Sequence, residues 1–516
     1  MYAPKVHPQH HGLRRALTLC GTGESHRRGS TIDMLSGDDL LEIFDSYRKI
    51  PVHEPFFRVQ LVWSWHLLVH VCRRWRQIIF ESPHRLNLQI LCTQKTPVKD
   101  NLFIWPTLPI VIKYSNTKRN PRPEGVGNVI ASFQQANRVC HVELNVTKSM
   151  FEKMVPFMLE SFPELTHIDI YPEPATDGSM GVLPGEFLGG SGPRLQEISF
   201  DNHSFPSLST FLLSTSNFIS LALSGIPPTG YIAPEAVIAC LAELPRLKQL
   251  IFGFHSVTSR PDQIHPPPIT RTVLPALTSF TFYGASEYLE ALVAQIDSPK
   301  LETIRVECLN SLVDTPAAQF PEFVDRTIGE KLLESSHAQI GYSSGTFSFI
   351  MYYPKLHPLW DWFTPNPDMM ARVVAFSCYG IGWRVSHVAQ VLSRFSSEIL
   401  SNVTHLELEA EDEEGLELRC MANFEWLYLL EQFPTVKTLL VSSEVSGYVA
   451  YALEDITEDI VTDVLPPLEL ICLDAQAVPL SVENFVAVRR PAGRPVTVVG
   501  TTREFNEILK SSYLRE

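Results

Sequence analysis

One short phrase recurs along this chain and constrains its fold more than any other feature. It reads apolar, two variable residues, apolar, one variable residue, apolar, often with a proline two residues ahead. Copies with the proline begin at Leu165, Leu195, Leu247, Leu277, Leu301, Val436 and Leu468, and weaker copies begin at Val139, Phe218 and Val403. Because its last residues alternate apolar and variable, each copy predicts a short strand with one buried face.

The copies are spaced closely enough to be structural repeats. Those at Leu165, Leu195, Phe218, Leu247, Leu277 and Leu301 follow one another at intervals of 30, 23, 29, 30 and 24 residues. Helical patterns lie between them, and Pro234 suits the first turn of one such helix. A strand followed by a helix at this period is the unit of a β-α solenoid. An ordinary α/β domain with similar βα units is the alternative.

The composition limits the class of protein. With 516 residues, 45% hydrophobic and 19% charged, the chain is globular. A net charge of −15 argues against a nucleic-acid binder. Nine cysteines without a C-x-x-C pair exclude the usual zinc modules and indicate reduced thiols. No segment resembles an export signal or a membrane span, so we expect a soluble protein of the cytoplasm, the nucleus or both.

The phrase resembles the strand segment of a leucine-rich repeat, although its polar position is not consistently Asn or Cys and its period is irregular. The resemblance implies an α/β fold with an irregular leucine-rich-repeat-like solenoid over residues 137–497. Between 309 and 400 the pattern nearly disappears. There we expect residues 346–352 and 373–378 to form degenerate strands that fill the missing periods.

Residues 34–86 carry a different pattern. Ser36 and Asp39 have the spacing of a helix capping box. A first helix then carries Leu40, Leu41, Ile43 and Phe44 on one face, and a second, ended by Pro83, carries Leu68, Val71, Cys72, Trp75, Ile78 and Ile79. Two such short helices cannot bury all their apolar surface against each other, so a partner is expected, either the rest of the chain or another protein.

Met34–Phe44 and Leu67–Ile79 resemble an F-box, the helical module that docks on the Skp-type adaptor of cullin–RING ubiquitin ligases. The phrase Val-Cys-Arg-Arg-Trp-Arg from Val71 is the most specific part, and residues 80–86 and 105–112 are similar to the large F-box family of mushroom-forming (basidiomycete) fungi. The chain departs from the family in lacking a proline near Ser36 and in carrying a proline-broken insert at 48–63.

The resemblance implies a substrate-recognition subunit of a Skp–cullin–F-box ubiquitin ligase, without catalytic residues, metal or cofactor of its own. The residues expected to bind the adaptor are Leu35, Leu40, Leu41, Ile43, Phe44, Val71, Cys72, Trp75, Ile78 and Ile79, with Cys72 as a small buried thiol. Two alternatives stay open: helices that merely close the end of the solenoid, and an interaction scaffold not linked to ubiquitin.

These patterns predict five segments. Residues 1–30 form a disordered tail, 31–86 the F-box-like module, 87–136 a connecting segment, 137–497 the solenoid and 498–516 a C-terminal helix.

An enzyme is the main rival class. Residues 341–345 match G-x-S-x-G around Ser343, but a strand pattern follows where a nucleophile needs a helix. The acidic stretch at 407–417 lacks the spacing and glycine of a calcium loop and is expected to be solvated. Small core residues are expected at Cys92, Cys240, Cys308, Cys378 and Cys472. We therefore expect neither metal nor cofactor.

The strand alternation also predicts a binding face. The residues between the apolar positions must lie on the opposite side of each strand, which is the concave side of a leucine-rich-like solenoid. Substrate contacts are expected from His167, Asp169, Tyr171, Glu197, Asp201, Tyr283, Arg305, Glu307, Glu407 and Glu409. Carboxylates dominate, so we predict that the substrate is basic, binds more weakly as salt rises, and is not a phosphopeptide, whose capture needs clustered arginines.

Overall fold

The computed structural model describes residues 35–48, 68–82, 86, 88–93, 102, 108–116, 125–173, 181–215, 217–261, 268–310, 319–343, 346–353, 371–379, 384–410, 423–454, 464–473, 480–491 and 493–500. The chain divides into two compact units, residues 1–89 and 90–516. The expected N-terminal tail lies outside the described residues, and so do residues 49–63 of the insert expected at 48–63.

The N-terminal unit contains helices α1 (Gly37–Arg48) and α2 (Arg73–Glu81). The capping box before α1 is confirmed, since the Ser36 N–H donates to the Asp39 carboxylate at 2.9 Å and the Asp39 N–H donates to Ser36 Oγ at 3.1 Å. The prediction of one continuous second helix from Leu68 is wrong. Cys72 is extended, with φ −156° and ψ 172°, and its Sγ accepts the Trp75 N–H, so α2 begins only after this residue.

The second unit is built on one sheet of sixteen strands. These strands are β1 (Ile90–Cys92), β2 (Ile110–Asn116), β3 (Val139–Thr147), β4 (His167–Glu173), β6 (Glu197–Asp201), β8 (Ser220–Ile226), β9 (Gln249–Phe254), β11 (Ser279–Gly284), β13 (Thr303–Cys308), β14 (His337–Ser343), β15 (Thr346–Tyr353), β16 (Ala371–Tyr379), β17 (His405–Ala410), β18 (Thr438–Val441), β19 (Leu470–Leu473) and β20 (Thr497–Val499). Two small sheets pair β5 (Gly181–Val182) with β7 (His203–Ser204) and β10 (Thr272–Val273) with β12 (Ile296–Asp297).

Helices separate most of these strands along the chain. They are α3 (Val126–Phe133), α4 (Lys148–Met154), α5 (Leu208–Leu212), α6 (Pro234–Ala242), α7 (Ser286–Val293), α8 (Gln319–Leu332), α9 (Val385–Leu392), α10 (Ser397–Leu400), α11 (Asn423–Leu430), α12 (Ser443–Glu454) and α13 (Leu480–Arg489). Pro234 begins α6, as predicted. The fold is therefore α/β with a large, mostly parallel sheet, which is consistent with a repeat solenoid.

The register aligns the repeated phrases into continuous apolar rows. One row runs through Val142, Ile168, Ile198, Leu221, Leu250, Phe280 and Ile304, and each of these side chains is at most 2% exposed. Helices cover this side of the sheet; the Phe280 ring, for example, lies 6.0 Å from that of Phe323 on α8. Burial of these rows is the main source of stability of the unit, because apolar burial contributes about 25 cal/mol per Å².

The sheet extends beyond the predicted solenoid at both ends. Residues 87–136 were expected to form a connecting segment, but they contain β1, β2 and α3. Ile112 on β2 joins the apolar row by pairing with Val142. At the other end β20 occupies 497–499, so the expected C-terminal helix does not begin at 498. Residues 501–516 lie outside the described part of the chain.

Between 309 and 400 the chain departs from the repeat. The two expected strands are present as β15 and β16, but β15 runs antiparallel to both β14 and β16. β13 pairs with β16, and β14 pairs with β17, which gives the order β13-β16-β15-β14-β17. Only residues 344–345 join β14 to β15, and so short a connection cannot make a parallel crossover. The prediction of degenerate repeats in this region is therefore wrong in topology.

A buried carboxyl group holds the start of α8. Glu290 on α7 accepts hydrogen bonds from the backbone N–H groups of Gln319 at 2.7 Å and Phe320 at 3.3 Å. These are N–H groups that a helix cannot satisfy internally at its first turn. The Glu290 side chain is 1% exposed, and burial raises its pKa to about 7.

We expect Glu290→Gln to flatten the pH dependence of stability. The native pKa is above the ordinary 4.5, so the native state holds a proton that the unfolded chain has released. This stabilisation is complete below pH 4.5 and is lost as the pH rises through about 7. Urea unfolding at about pH 5 and about pH 7.5 should show a loss in the wild type that Glu290→Gln lacks.

Two variants serve as controls for this measurement. Glu302→Gln changes an exposed carboxylate and should keep the pH dependence of the wild type. Glu290→Ala removes the acceptor for two N–H groups together with the titrating carboxyl, so it should lower the free energy of unfolding by ~1 kcal/mol at about pH 5 and, like Glu290→Gln, should lack the further loss of the wild type at about pH 7.5. The same pH dependence in wild type and Glu290→Gln would contradict the assignment.

Candidate partner-binding surfaces

The residues that alternate with the buried rows form the opposite side of the large sheet, which we call the polar face. From β2 to β13 and on β16 it carries Lys113, His141, Glu143, His167, Asp169, Tyr171, Glu197, Asp201, Tyr283, Arg305, Glu307 and Tyr379. The register agrees with the predicted alternation. His167 pairs with His141 and Glu197, and Asp169 pairs with Glu143, so strands distant in sequence bring these side chains onto one surface.

Imidazoles and carboxylates alternate on β3, β4 and β6. His167 Nε2 lies 3.2 Å from Glu197 Oε1, and Lys113 Nζ on β2 lies 2.7 Å from Glu143 Oε2. Hydrogen bonding from His141, together with Lys113, lowers the pKa of Glu143 to about 2. Partial burial raises the pKa of Asp169. Glu143 is therefore a fixed anion, held by a cation beside it.

The neighbouring positions of this surface carry hydroxyl groups. Tyr171 is 41% exposed, and its hydroxyl lies 2.8 Å from Ser199 Oγ. Asp201 is less available than its charge suggests, because it accepts hydrogen bonds from Asn202 at 2.6 Å and Ser224 at 2.8 Å. Tyr171 thus presents an exposed ring on this surface, whereas Asp201 mainly ties β6 to β8.

Further along the sheet an arginine stands beside two tyrosines. The Arg305 guanidinium carbon lies 6.0 Å from the ring centroid of Tyr283. The Tyr379 hydroxyl donates to Glu307 Oε1 at 2.8 Å and lowers the charge density that this carboxylate presents. Arg305 is exposed, so this part of the polar face is less negative than the part on β3 to β6.

Four residues of the polar face were not among the predicted contacts: His141 and Glu143 follow the alternation of the copy that begins at Val139, whereas sequence reasoning missed Lys113 and Tyr379. Lys113 lies on β2, in the segment expected to be a connection, and Tyr379 lies on β16. The alternation of Ile110, Ile112 and Tyr114 is a signal that would have revealed Lys113. Tyr379 had no such signal, because its place next to Glu307 depends on the pairing of β13 with β16.

The polar face closes toward β14 and β17. Glu407, expected to contact a substrate, is 6% exposed, so that expectation is wrong for this residue. The rings of His337 and His405 stack at 4.1 Å, and burial lowers the pKa of His337 to about 3 and that of His405 to about 4. Burial and the adjacent Glu409 raise the pKa of Glu407 well above its usual range. The two imidazoles are therefore neutral at physiological pH, and burial favours the neutral form of Glu407.

Glu409 is placed differently from Glu407. It is half-buried, and the Gln339 amide donates to its carboxylate at 2.8 Å. It therefore lies at the border between the open and the closed part of the polar face.

The second candidate surface is on the N-terminal unit. Its core is formed by Leu40, Leu41, Phe44 and Ile79, which are buried, and the rings of Phe44 and Trp75 meet edge to face at 4.8 Å. Leu35, Trp75 and Ile78 are half-buried. The prediction of a buried thiol at Cys72 is wrong, because Cys72 is exposed in its role as the helix cap.

Two large apolar side chains of this unit remain accessible. Ile43 is 44% exposed and Val71 is 58% exposed. In a pair of short amphipathic helices, some apolar residues pack between the helices and others face outward. Of the residues predicted to bind an adaptor, Ile43, Val71 and Cys72 are thus the accessible ones.

The same geometry bears on the chemical alternatives. Ser343 ends β14 and pairs with Thr346 across a hairpin, so the strand–turn–helix of a serine nucleophile is not formed there. Within the described ranges, no group of three His, Cys, Asp or Glu side chains could hold a metal ion. The five cysteines expected in the core, from Cys92 to Cys472, are buried. None of the described helices combines the length and the apolarity that crossing a bilayer requires.

Comparison with known proteins adds little to this geometry. No family model matches the chain, and no curated protein matches it. Among solved structures, the crystal structure of the leucine-rich repeat-containing protein LegL7 from Legionella pneumophila is similar over 72% of this chain and 96% of that chain, with 12% sequence identity and a TM-score of 0.28. At that score the similarity does not define the fold, which rests on the strand pairing described above.

Proposed function

We propose that this chain is a non-catalytic protein-binding subunit whose polar face holds a partner protein. The observation that carries this is the polar face itself. From β3 to β13 it presents charged and aromatic side chains over neighbouring strands in register, while the helices lie on the opposite side of the sheet. A broad, regular surface of this kind suits an extended or folded protein better than a small molecule, which prefers a concave pocket.

The finer proposal links the chain to ubiquitin transfer. The N-terminal unit resembles an F-box in sequence, and it exposes Ile43 and Val71. Docking of these side chains on a Skp-type adaptor would connect the chain to a cullin–RING ligase, in the cytoplasm or the nucleus. The chain itself then needs no active site, because holding a substrate near the ubiquitin carrier raises the rate by proximity.

We propose further that the partner held by the polar face is basic. Glu143 is anionic because of its low pKa, and Asp169 and Glu197 lie on the adjacent strands β4 and β6. Lys113 and Arg305 are the cations that oppose them on this face. A Lys- or Arg-rich segment would gain favourable Coulomb energy here, and salt would screen that gain.

A charge reversal tests the basic partner. In a peptide-array screen, the wild-type protein should retain mainly Lys- and Arg-rich peptides, and Asp169→Lys or Glu197→Lys should weaken their binding at least ~10-fold, about 1.4 kcal/mol. Glu235→Lys makes the same charge change at an exposed position on α6 and should have little effect. Retention of mainly acidic or phosphorylated peptides, insensitive to both substitutions, would contradict the proposal.

Substitution of the exposed apolar residues tests the adaptor. Ile43→Asp and Val71→Asp should each reduce affinity for a purified Skp-type adaptor at least ~10-fold, because an interface depends on a few central apolar anchors. Their exposure predicts little effect on folding. Glu42→Ala, an exposed residue of α1, is the matched control. In contrast, Phe44→Ala should unfold the helix pair, since truncating a buried aromatic costs ~3–5 kcal/mol.

Two outcomes distinguish the rival functions. If the wild-type protein binds basic peptides but not the adaptor, the chain is an interaction scaffold not linked to ubiquitin. Labelling of Ser343 by a serine-reactive probe would instead indicate a hydrolase. It would contradict both the proposal of a non-catalytic binding subunit and its link to ubiquitin transfer.

A further inference from the structure

One row of the polar face crosses the six neighbouring strands from β4 to β13 in continuous register. We call it the central row. In order across the sheet it contains Asp169, Ser199, Ala222, Ile251, Thr281 and Arg305. Its two ends therefore carry opposite charges, and the four positions between them are uncharged.

The negative end of the central row is a carboxylate without a counterion. The neighbouring carboxylates are paired, since Lys113 Nζ lies 2.7 Å from Glu143 and His167 Nε2 lies 3.2 Å from Glu197. Among the described residues, none forms a hydrogen bond or a close ion pair with the Asp169 carboxylate, and burial raises its pKa. A cation supplied by a partner would stabilise this anion.

The positive end is a guanidinium in the same situation. Arg305 is exposed, and its guanidinium carbon lies 6.0 Å from the ring centroid of Tyr283. Glu307, two residues along β13, accepts a hydrogen bond from the Tyr379 hydroxyl at 2.8 Å. No described carboxylate lies within ion-pair distance of the Arg305 guanidinium, so its donors are available to a carboxylate of a partner.

The middle of the central row favours uncharged side chains. Ala222 and Thr281 are small and 9% exposed, and Ile251 between them is a half-buried apolar residue on the otherwise polar side of the sheet. A charged group placed over these three residues would lose water without meeting an opposite charge.

The length of the central row sets the spacing of the two contacts. Six neighbouring strands have five gaps of ~4.8 Å, so Asp169 and Arg305 lie ~24 Å apart along the sheet. An extended chain advances ~3.4 Å per residue, and a segment that runs across the strands therefore covers this distance in ~7 residues.

We propose that the partner segment lies along the central row in an extended conformation, with a Lys or Arg at Asp169 and an Asp or Glu at Arg305, about six uncharged residues apart. The inference rests on the proposed function, because it places a basic partner on the polar face. It adds a second, acidic contact and a fixed spacing. A segment that is basic throughout would bring a cation to Arg305 and be repelled there.

Synthetic peptides of one composition test the spacing. Each contains two adjacent lysines and one glutamate, separated by two, six or ten uncharged residues and prepared in both chain directions. By fluorescence anisotropy at low salt, the wild-type protein should bind a peptide with six intervening residues about 5-fold more tightly than those with two or ten, because only that spacing satisfies both charges at once. Equal affinity for all three spacings would overturn the inference.

A charge reversal identifies the second contact. Arg305→Glu should bind the six-residue peptide about 5-fold more weakly than the wild type does, and a peptide in which lysine replaces the glutamate should recover that loss. Lys300→Glu makes the same charge change at an exposed residue in the turn before β13 and should keep the wild-type preference. An equal effect of the two substitutions would show a non-specific charge effect and overturn the inference.

The same measurements separate this inference from the proposed function. If Asp169→Lys weakens binding of the peptides but neither spacing nor Arg305→Glu matters, the second contact is wrong and the basic partner stands. If the wild-type protein binds none of the lysine-containing peptides, the basic partner is wrong and this inference falls with it.

Discussion

Register in the sixteen-stranded sheet is the constraint on which the rest of the structure depends. Each strand sends alternate side chains to opposite sides, so a shift of one residue would exchange the whole buried row for the polar one. Ile168 and Ile170 are fully buried, whereas His167 and Asp169, which alternate with them, face away from the core. The free energy of burying these apolar rows therefore fixes the position of every polar side chain as well, including those that would meet a partner.

The hairpin of β14 and β15 shows how a local feature redirects this arrangement. A connection of two residues forces β15 to run antiparallel, and β16 then takes the place beside β13. The register is nevertheless kept, because Phe376 pairs with Val306 and Phe349 in the buried row. Beyond the hairpin the polar face becomes closed, with the stacked imidazoles of His337 and His405. One sheet thus carries an open and a closed region on the same side.

The N-terminal unit is held together by different interactions from those of the sheet. Its helices are too short to be stable alone, and they are held by the Phe44–Trp75 contact, by the Ser36–Asp39 capping box and by Cys72 at the start of α2. Arg76 adds a hydrogen bond from its Nε to the Val69 carbonyl at 3.0 Å. With the ends of the helices fixed in this way, Ile43 and Val71 can remain exposed without being needed for the core.

The amino-acid sequence by itself determined the local elements. The repeated phrase predicted most of the strands, the alternation predicted the side on which His167, Asp169 and Glu197 lie, and Ser36 with Asp39 predicted the start of α1. These follow from residues a few positions apart, whose periodicity reflects burial directly. The tertiary structure alone decided the strand order around β14 to β16, the burial of Glu407 and the break of the helix at Cys72. Each of these depends on which distant segments become neighbours. Local periodicity does not determine which segments pair, because many pairings bury the same apolar face.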